Sequence, residues 1–221
     1  MTPDERQAMR ALITSALRRA TLPGVPATAP GGYVRGDAPP VDLLERFRTE
    51  LTSLGGVVHE LPDADAAAIA GRIDALVGEA PKRALAWRDD TFPVPGLAAA
   101  LIARGFVVVH QATADDDRGE LAGCSVGVTA VDALLAETGS VVLVSGPGRG
   151  RLASLLPPIH VAIATREQLV YSLPDLLLAR PELATRGSNL VCITGPSRTA
   201  DIEHTLSRGV HGPGEVHVVV I

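Results

Sequence analysis

The chain has 221 residues, of which 46% are hydrophobic, and a formal net charge of -5. This length and apolar content allow a substantial core and predict a single compact domain. The acidic balance argues against nucleic acid or an anionic membrane surface as a partner, and no stretch approaches the roughly 18 consecutive apolar residues of a membrane span.

The two cysteines, Cys124 and Cys192, lie far apart in the sequence, without the paired spacing that holds zinc or an iron–sulfur cluster. We therefore expect the chain to bind no metal and no cluster of its own. Residues 1–20 carry acids and arginines where a signal peptide needs an apolar block, which predicts a cytoplasmic protein.

The first 40 residues differ in character from the rest. Residues 3–20 place Met9, Leu12 and Ile13 at helical spacing between charged residues, which predicts an amphipathic helix. Residues 21–40 are rich in proline and glycine, which predicts a linker or an irregular loop. We therefore divide the chain into an N-terminal helix and linker, 1–40, and one α/β domain, 41–221.

From residue 41 onward, helical and strand patterns alternate. Predicted helices cover residues 41–56, 63–79 and 96–105, and predicted strands cover residues 57–61, 83–87 and 106–110. Short strands that are apolar on both faces and separated by helices are typical of a parallel sheet covered on both sides. The fold class predicted is therefore α/β, with a mostly parallel sheet flanked by helices.

The second half continues the same pattern. A helix is predicted over residues 129–139, with Thr129 and Asp132 as its capping box and Gly139 at its left-handed end. Further strands are predicted over residues 140–145, 159–164, 189–194 and 215–221, and further helices over residues 173–184 and 199–208.

Two loops share a pattern that indicates a binding site. The segments "VLVSGPGRGR" and "VCITGPSRTA" both leave an apolar strand through Ser or Thr, then Gly-Pro, a small residue and an arginine, Arg149 or Arg198. Ligands in open α/β folds bind at the carboxyl ends of parallel strands, so we expect both arginines at one edge of the sheet. There they would bind a small anion.

The second loop offers a particular set of donors for that anion. A sharp turn at Gly195 would expose the N–H groups at the start of the helix predicted after it, and the arginine could grip a carboxylate or phosphate with two bonds. The candidate ligand-binding residues are Arg149, Thr194, Gly195, Ser197, Arg198, Thr199 and Asp201. Asp201 would repel an anion unless it is paired, for which Arg198 is the nearby cation. The alternative is an ordinary helix cap made by Ser197 or Thr199.

Three histidines accompany these loops. His211 lies in the Gly- and Pro-rich turn before the last strand, where it could meet a ligand or transfer a proton, or be a surface residue without a task. His160 and His217 stand on strands and are expected to be hydrogen-bonded and half-buried. A metal site made of all three histidines is geometrically possible, but their spacing does not require it.

Several segments together resemble one known family. "VGVTAVDALLAETGSVVLVS", "LLPPIHVAIA" and "TGPSRTADIEHTLSRGVHGP" look like the lactate-utilization (LUD) domain, over roughly residues 120–221. The resemblance implies a fold like that of ribose-5-phosphate isomerase, glucosamine-6-phosphate deaminase and coenzyme A transferases. It also implies a role in oxidising L-lactate to pyruvate with partner proteins that carry iron–sulfur clusters.

The same resemblance draws attention to Glu137. Transferases of this fold use a glutamate as nucleophile, which makes Glu137 a candidate catalytic residue together with His211. The residues around Glu137 do not reproduce a transferase pattern, however, and an exposed glutamate at the end of a helix needs no function.

Three functions compete at this point. The chain is either a cluster-free component of a lactate-oxidising system, or a free-standing enzyme or binding protein for a phosphorylated sugar or an acyl thioester, or a non-catalytic assembly module. The first follows from the resemblance and the arginine loops, and the second from the turn suited to an anion. The third would use residues 1–40 to contact another subunit.

Overall fold

A computed structural model describes residues 3–19, 42–111, 118–200 and 206–221 of the chain. The chain divides into two compact units, Met1–Asp37 and Ala38–Ile221. Helix α1 (Pro3–Arg19) is the described part of the first unit, and Met9, Leu12 and Ile13 are exposed on it. The predicted linker and the domain boundary fall outside the described residues, so the division at residue 40 stays a prediction.

The second unit is built on a six-stranded sheet in which every strand pair is parallel. Its strands are β1 (Val57–Glu60), β2 (Arg83–Ala86), β3 (Val107–Val109), β4 (Val126–Ala130), β7 (Ile159–Ala164) and β12 (Glu215–Val220). They lie side by side in the order β1-β12-β7-β4-β2-β3. The predicted α/β class, with a mostly parallel sheet flanked by helices, is confirmed.

Helices α2 (Leu43–Ser53), α3 (Ala66–Val77) and α4 (Leu97–Ala103) alternate with the first strands, as predicted. The side chains of Asp42 and Asp65 accept hydrogen bonds from the first turns of α2 and α3, which satisfies backbone donors there. Helices α3 and α4 pack on one face of the sheet around Ile73 and Leu101, and α2 packs on the other face through Phe47 and Leu51. A further short helix, α5 (Arg118–Ala122), lies between β3 and β4.

A second sheet, which the sequence did not reveal, covers the α2 side. It contains β5 (Ala133–Leu135), β6 (Ser140–Ser145), β8 (Leu169–Val170) and β9 (Asn189–Ile193), in the order β8-β5-β6-β9. Strand β6 is antiparallel to both β5 and β9. Helices α6 (Leu173–Ala179) and α7 (Leu183–Arg186) bury Leu176 and Leu183 against its outer face.

The helix predicted over residues 129–139 is therefore wrong. Residues 126–136 are all buried, and in β5 Leu134 belongs to one core whereas Ala133 and Leu135 belong to another. A short run that is buried on both faces has no periodicity that separates a strand from a helix. Gly139 does have a left-handed φ of 64°, but it ends the hairpin turn between β5 and β6.

The helix predicted over residues 199–208 is wrong wherever the structure describes it. Strands β10 (Arg198–Ala200) and β11 (Leu206–Arg208) form an antiparallel pair, with Arg198 opposite Arg208, and residues 201–205 lie outside the described part. Cross-strand pairing overrides the weak helical spacing of the segment. The helix predicted over 173–184 is two helices, α6 and α7, because Pro181 lies between them and lacks a backbone N–H.

Within the described residues, no helix is both long enough and apolar enough to cross a membrane.

Candidate ligand-binding site

The first Gly-Pro loop is a tight turn directly after β6. Arg149 N–H donates to Gly146 O at 2.9 Å, and Gly146 N–H donates back to Arg149 O at 3.3 Å. Gly148 takes a left-handed φ of 73°, and its carbonyl accepts from Arg88 N–H at 2.9 Å. These bonds attach the loop to the segment that follows β2, at the carboxyl end of the parallel sheet.

The Arg149 guanidinium contacts a buried carboxylate. Arg149 Nη1 lies 2.9 Å from Asp132 Oδ1 and 3.2 Å from Asp132 Oδ2, while Val144 N–H donates to the same Oδ2 at 2.7 Å. Arg186 Nη2 also donates to Asp132 Oδ1, and Arg180 Nη1 donates to the Asp132 backbone oxygen at 2.9 Å. Asp132, which was predicted to belong to a helix capping box, instead supplies the carboxylate that both Arg149 and Arg186 contact.

The single tryptophan of the chain holds Arg149 from the other side. The Arg149 guanidinium carbon lies 5.0 Å from the centre of the Trp87 ring, within the range of a cation–π contact. Trp87 Nε1–H donates to Gly150 O at 3.0 Å, so the indole is fixed to the same loop. Trp87 and Asp132 follow the adjacent strands β2 and β4, which is why their side chains meet here.

A cavity of about 340 Å³ opens beside this cluster. It is lined by Val144, Ser145, Gly146, Pro147, Arg149 and Arg186. Its polar lining is therefore cationic, with two guanidinium groups sharing the Asp132 carboxylate. That arrangement suits a small anion.

The second Gly-Pro loop lies elsewhere, against the end of α2. Gly195 has a left-handed φ of 92° and packs on Leu54, and Arg198 Nη2 donates to the Leu54 carbonyl. Thr194 Oγ1 lies 2.8 Å from Ser140 Oγ, which lies 2.7 Å from Thr138 Oγ1. The arginine thus caps a helix C-terminus, and three hydroxyl groups join this loop to the β5–β6 turn.

The two candidate catalytic residues both adjoin the second loop. Glu137 is exposed in the β5–β6 turn, where its N–H donates to Tyr171 O at 2.8 Å. His211 N–H approaches Ser197 Oγ at 3.4 Å, and Ser197 N–H donates to Pro213 O at 2.9 Å. Asp201 and the side chain of Thr199 lie outside the described residues, so their predicted roles are not described by the structure.

The expectation that both arginine loops open on the same edge is wrong. Strands β6 and β9 are antiparallel, with Ser145 opposite Asn189 and Val141 opposite Ile193. Strand β6 therefore ends where β9 begins, and the two loops leave opposite ends of the second sheet. Arg149 and Arg198 cannot hold one small ligand between them.

The three histidines do not form one site either. His160 pairs with Val216 in the sheet, so His160 and His217 point to opposite faces. His160 is fully buried and its Nε2 lies 2.9 Å from Thr129 Oγ1, but Nδ1 has no hydrogen-bond partner among the described residues. Burial, with a smaller contribution from His217, lowers the pKa of His160 to about 4.

His217 belongs to a separate polar group at the edge of the sheet. His217 Nδ1 lies 3.1 Å from His59 Nε2, and His217 Nε2 lies 3.2 Å from Glu215 Oε2. Burial, followed by His217 and Arg72, lowers the pKa of His59 to about 4. Both cysteines are free. Burial is the main cause that raises the pKa of the Cys124 thiol, and partial desolvation raises the pKa of the Cys192 thiol although that residue is exposed, so neither is activated as a thiolate.

Sequence reasoning missed Asp132, Arg186, Trp87 and Ser145 as parts of the Arg149 cluster. One signal for Asp132 was available, because it is the one charged residue within the apolar run 126–136. A carboxylate in a buried segment requires a cation or hydrogen-bond donors nearby. No comparable signal in the sequence indicates which arginines supply them.

Comparison with known proteins assigns the family. The profile of the LUD domain matches residues 44–221, which is most of the chain. The chain belongs to the LUD domain family. The predicted resemblance is therefore confirmed, and it covers more of the chain than the motifs alone indicated.

Two relatives of this LUD-domain protein share a name. Lactate utilization protein C of Halalkalibacterium halodurans is 37% identical over 145 residues, covering 63% of this chain and 63% of that protein. The protein of the same name from Deinococcus radiodurans is 26% identical over 221 residues, covering 99% of this chain and 98% of that protein. The chain thus matches about three fifths of the former relative's length and nearly all of the latter's.

A solved structure supports the fold of this LUD-domain protein. The crystal structure of a DUF162 family protein from Deinococcus radiodurans superposes with a TM-score of 0.58 at 21% identity. The superposition covers 80% of this chain and 95% of that one.

Proposed function

We propose that this chain is a component of an L-lactate utilization system, in which L-lactate is oxidised to pyruvate together with iron–sulfur partner proteins. The observation that carries the proposal is the alignment with a lactate utilization protein C along 99% of this chain and 98% of that relative. The cytoplasmic location predicted from the sequence belongs to the same proposal.

The division of labour within the system follows from the chemistry. Oxidation of lactate to pyruvate removes two electrons and two protons, and the electrons need an acceptor. The chain has two cysteines, Cys124 buried and Cys192 exposed, whereas a cluster of the usual kind needs four ligands. In the proposed system the electrons therefore pass to clusters on the partners, and this chain supplies binding and positioning.

The proposed ligand of this chain is a small anion bound beside Arg149. Support comes from the cavity next to the paired guanidinium groups of Arg149 and Arg186. For the second loop, ligand binding by Thr194, Gly195, Ser197, Arg198, Thr199 and Asp201, and catalysis by Glu137 and His211, remain predictions.

Within its described residues, the structure does not contain the feature that favoured the alternative, a free-standing enzyme for a phosphorylated sugar or acyl thioester. That alternative depended on backbone N–H groups at the start of a helix after Gly195-Pro196. Residues 198–200 instead form a strand whose backbone pairs with residues 206–208. We therefore do not put it forward as a second function.

Growth on L-lactate tests the proposal. Deleting the gene in an organism without a second copy should abolish growth on L-lactate as sole carbon source, because the oxidation requires every component. Growth on pyruvate is the control and should be unchanged, since pyruvate enters metabolism after the proposed step. Normal growth of the deletion strain on L-lactate would contradict the proposal.

A further inference from the structure

We propose that the cavity beside Arg149 and Arg186 binds a small 2-hydroxy or 2-oxo monocarboxylate, with Ser145 contacting the oxygen on carbon 2. The choice of acid rests on the proposed function, whereas the site and its selectivity are argued from geometry. Four features of the cavity carry the inference: its net charge, its unused donors, its serine and its size.

Charge is the first feature. Asp132 is buried, with 3% of its surface exposed, and its Oδ1 accepts from both Arg149 and Arg186. Nearby Arg180 pairs with Glu182, and Asp90, which also interacts with Arg149, pairs with Arg88. One carboxylate between two guanidinium groups therefore leaves one unbalanced positive charge. A singly charged anion would neutralise this cluster, whereas a dianion such as sulfate would leave an uncompensated negative charge at a partly buried site.

Unused hydrogen-bond donors are the second feature. A guanidinium group has five N–H donors in a fixed plane, and Arg149 uses Nη1 and Arg186 uses Nη2 for Asp132. Stacking on Trp87 and the bond to Asp132 fix Arg149, so little side-chain entropy remains to be lost on binding. The remaining N–H groups can bind a carboxylate with two parallel bonds.

Ser145 is the third feature and the basis of selectivity. It lines the cavity although the residue is only 5% exposed, and its hydroxyl makes no hydrogen bond to another residue in the described part of the chain. A nearly buried hydroxyl gains a partner when a ligand brings one. Beside the arginines, that partner would be the 2-hydroxyl or 2-oxo group of the acid whose carboxylate they hold.

Size is the fourth feature. The cavity volume of about 340 Å³ is at the low end of the range for ligand pockets, roughly 300 to 1,000 Å³. This suits an acid of a few carbon atoms and is too small to enclose an acyl thioester of coenzyme A. Pro147 adds an apolar wall against which a methyl group can pack.

Fluorescence of Trp87, the single tryptophan, provides a direct readout. We expect L-lactate and pyruvate to change its emission saturably, because they would perturb the Arg149 guanidinium over the indole ring. Propionate, which is lactate without the 2-hydroxyl, should bind at least about tenfold more weakly, as for one lost hydrogen bond at a buried site. Sulfate, a dianion, should not compete.

Variants separate the two contacts. Ser145→Ala should bring the affinities for lactate and propionate within about threefold of each other, and Arg186→Gln should weaken binding of both acids at least about tenfold. Arg186→Lys keeps the positive charge that balances Asp132 but lacks the planar guanidinium group. It therefore tests whether the paired N–H donors of Arg186 are needed to bind the carboxylate. The control is Arg166→Gln, whose side chain pairs with Glu60 and does not line this cavity.

Defined results would overturn the inference. They are equal affinity for lactate and propionate in the unsubstituted protein, preferential binding of sulfate, or unchanged lactate preference in a folded Ser145→Ala variant. Absence of both a fluorescence change and a calorimetric heat with L-lactate and pyruvate would also overturn it. None of these results alters the growth test, so failure of this site and failure of the proposed function are distinguishable.

Discussion

Buried polar side chains are where individual residues matter most in this protein. Asp132 is compensated by two arginines and a backbone N–H, whereas fully buried His160 has one partner, Thr129, among the described residues. Protonation of His160 would place an unpaired charge in the core, because this residue lies on the central strand β7 and is fully buried. The folded protein therefore keeps this imidazole neutral.

This environment predicts a loss of stability in mild acid. The pKa of His160 is lowered from its ordinary 6.5 to about 4, so between those values the unfolded chain binds more protons than the folded one. The free energy of unfolding should fall as pH decreases through that window, by about 3 kcal/mol from this residue. Denaturant unfolding at several pH values measures the slope.

Two variants test whether His160 causes this dependence of the free energy of unfolding on pH. His160→Gln should reduce it, because glutamine does not titrate in this range, and the slope that remains should come from His59, whose pKa is also lowered to about 4. Thr129→Val removes the hydroxyl partner but keeps the imidazole, and should lower stability while retaining a slope. An unchanged slope in a folded His160→Gln variant would contradict the assignment.

At the scale of elements, the core depends on close contact between the central strand β4 and a short 3₁₀ turn, Arg151–Ser154, that follows the first Gly-Pro loop. Gly127 lies on the face of β4 that this turn covers. A Cβ atom there would overlap the carbonyl oxygen of Ala153. The contact therefore requires glycine and fixes the position of the loop that carries Arg149.

Replacing Gly127 with alanine should accordingly destabilise the fold by about 3 kcal/mol, because the overlapping atom belongs to backbone and cannot rotate away. Gly123→Ala is the matched control, since its nearest neighbour would be Glu120 O at 3.4 Å, an ordinary contact. Thermal or denaturant unfolding of both variants measures the difference. Equal stability of the two would show that the turn can move away from β4.

At the scale of the whole molecule, the second sheet sets the distance between the two arginine loops. Strand β6 ends at Ser145, and β9 ends opposite Val141. Four residues of extended chain separate these points, about 14 Å at 3.4 Å per residue. One loop lies by the carboxyl ends of β2 and β4, and the other lies by the end of α2.

The separation predicts that Arg149 and Arg198 are energetically independent. The stability changes of Arg149→Ala and Arg198→Ala should add within about 0.5 kcal/mol in the double variant, as for sites that share no partner. A double-mutant cycle in denaturant measures this. A coupling energy above about 1 kcal/mol would mean that the loops communicate despite their distance.

The sequence by itself determined the parallel α/β framework, the helices α2 to α4 and the family. It could do so because alternating periodicity and the Gly-Pro motifs are local features that neighbouring residues specify. Arg149, which the loop motif indicated as a ligand-binding residue, lines the cationic cavity, and its binding of a ligand stays a prediction.

Only the tertiary structure decided the second sheet, the hairpin β10–β11 and the partners of Arg149. Residues 126–136 are buried on every side, so their pattern could not distinguish strand from helix, and strand direction depends on partners distant in sequence. The grouping of Asp132, Trp87 and Arg186 likewise depends on which strands and helices meet. Such long-range contacts fix which donors face one cavity, and no local pattern specifies them.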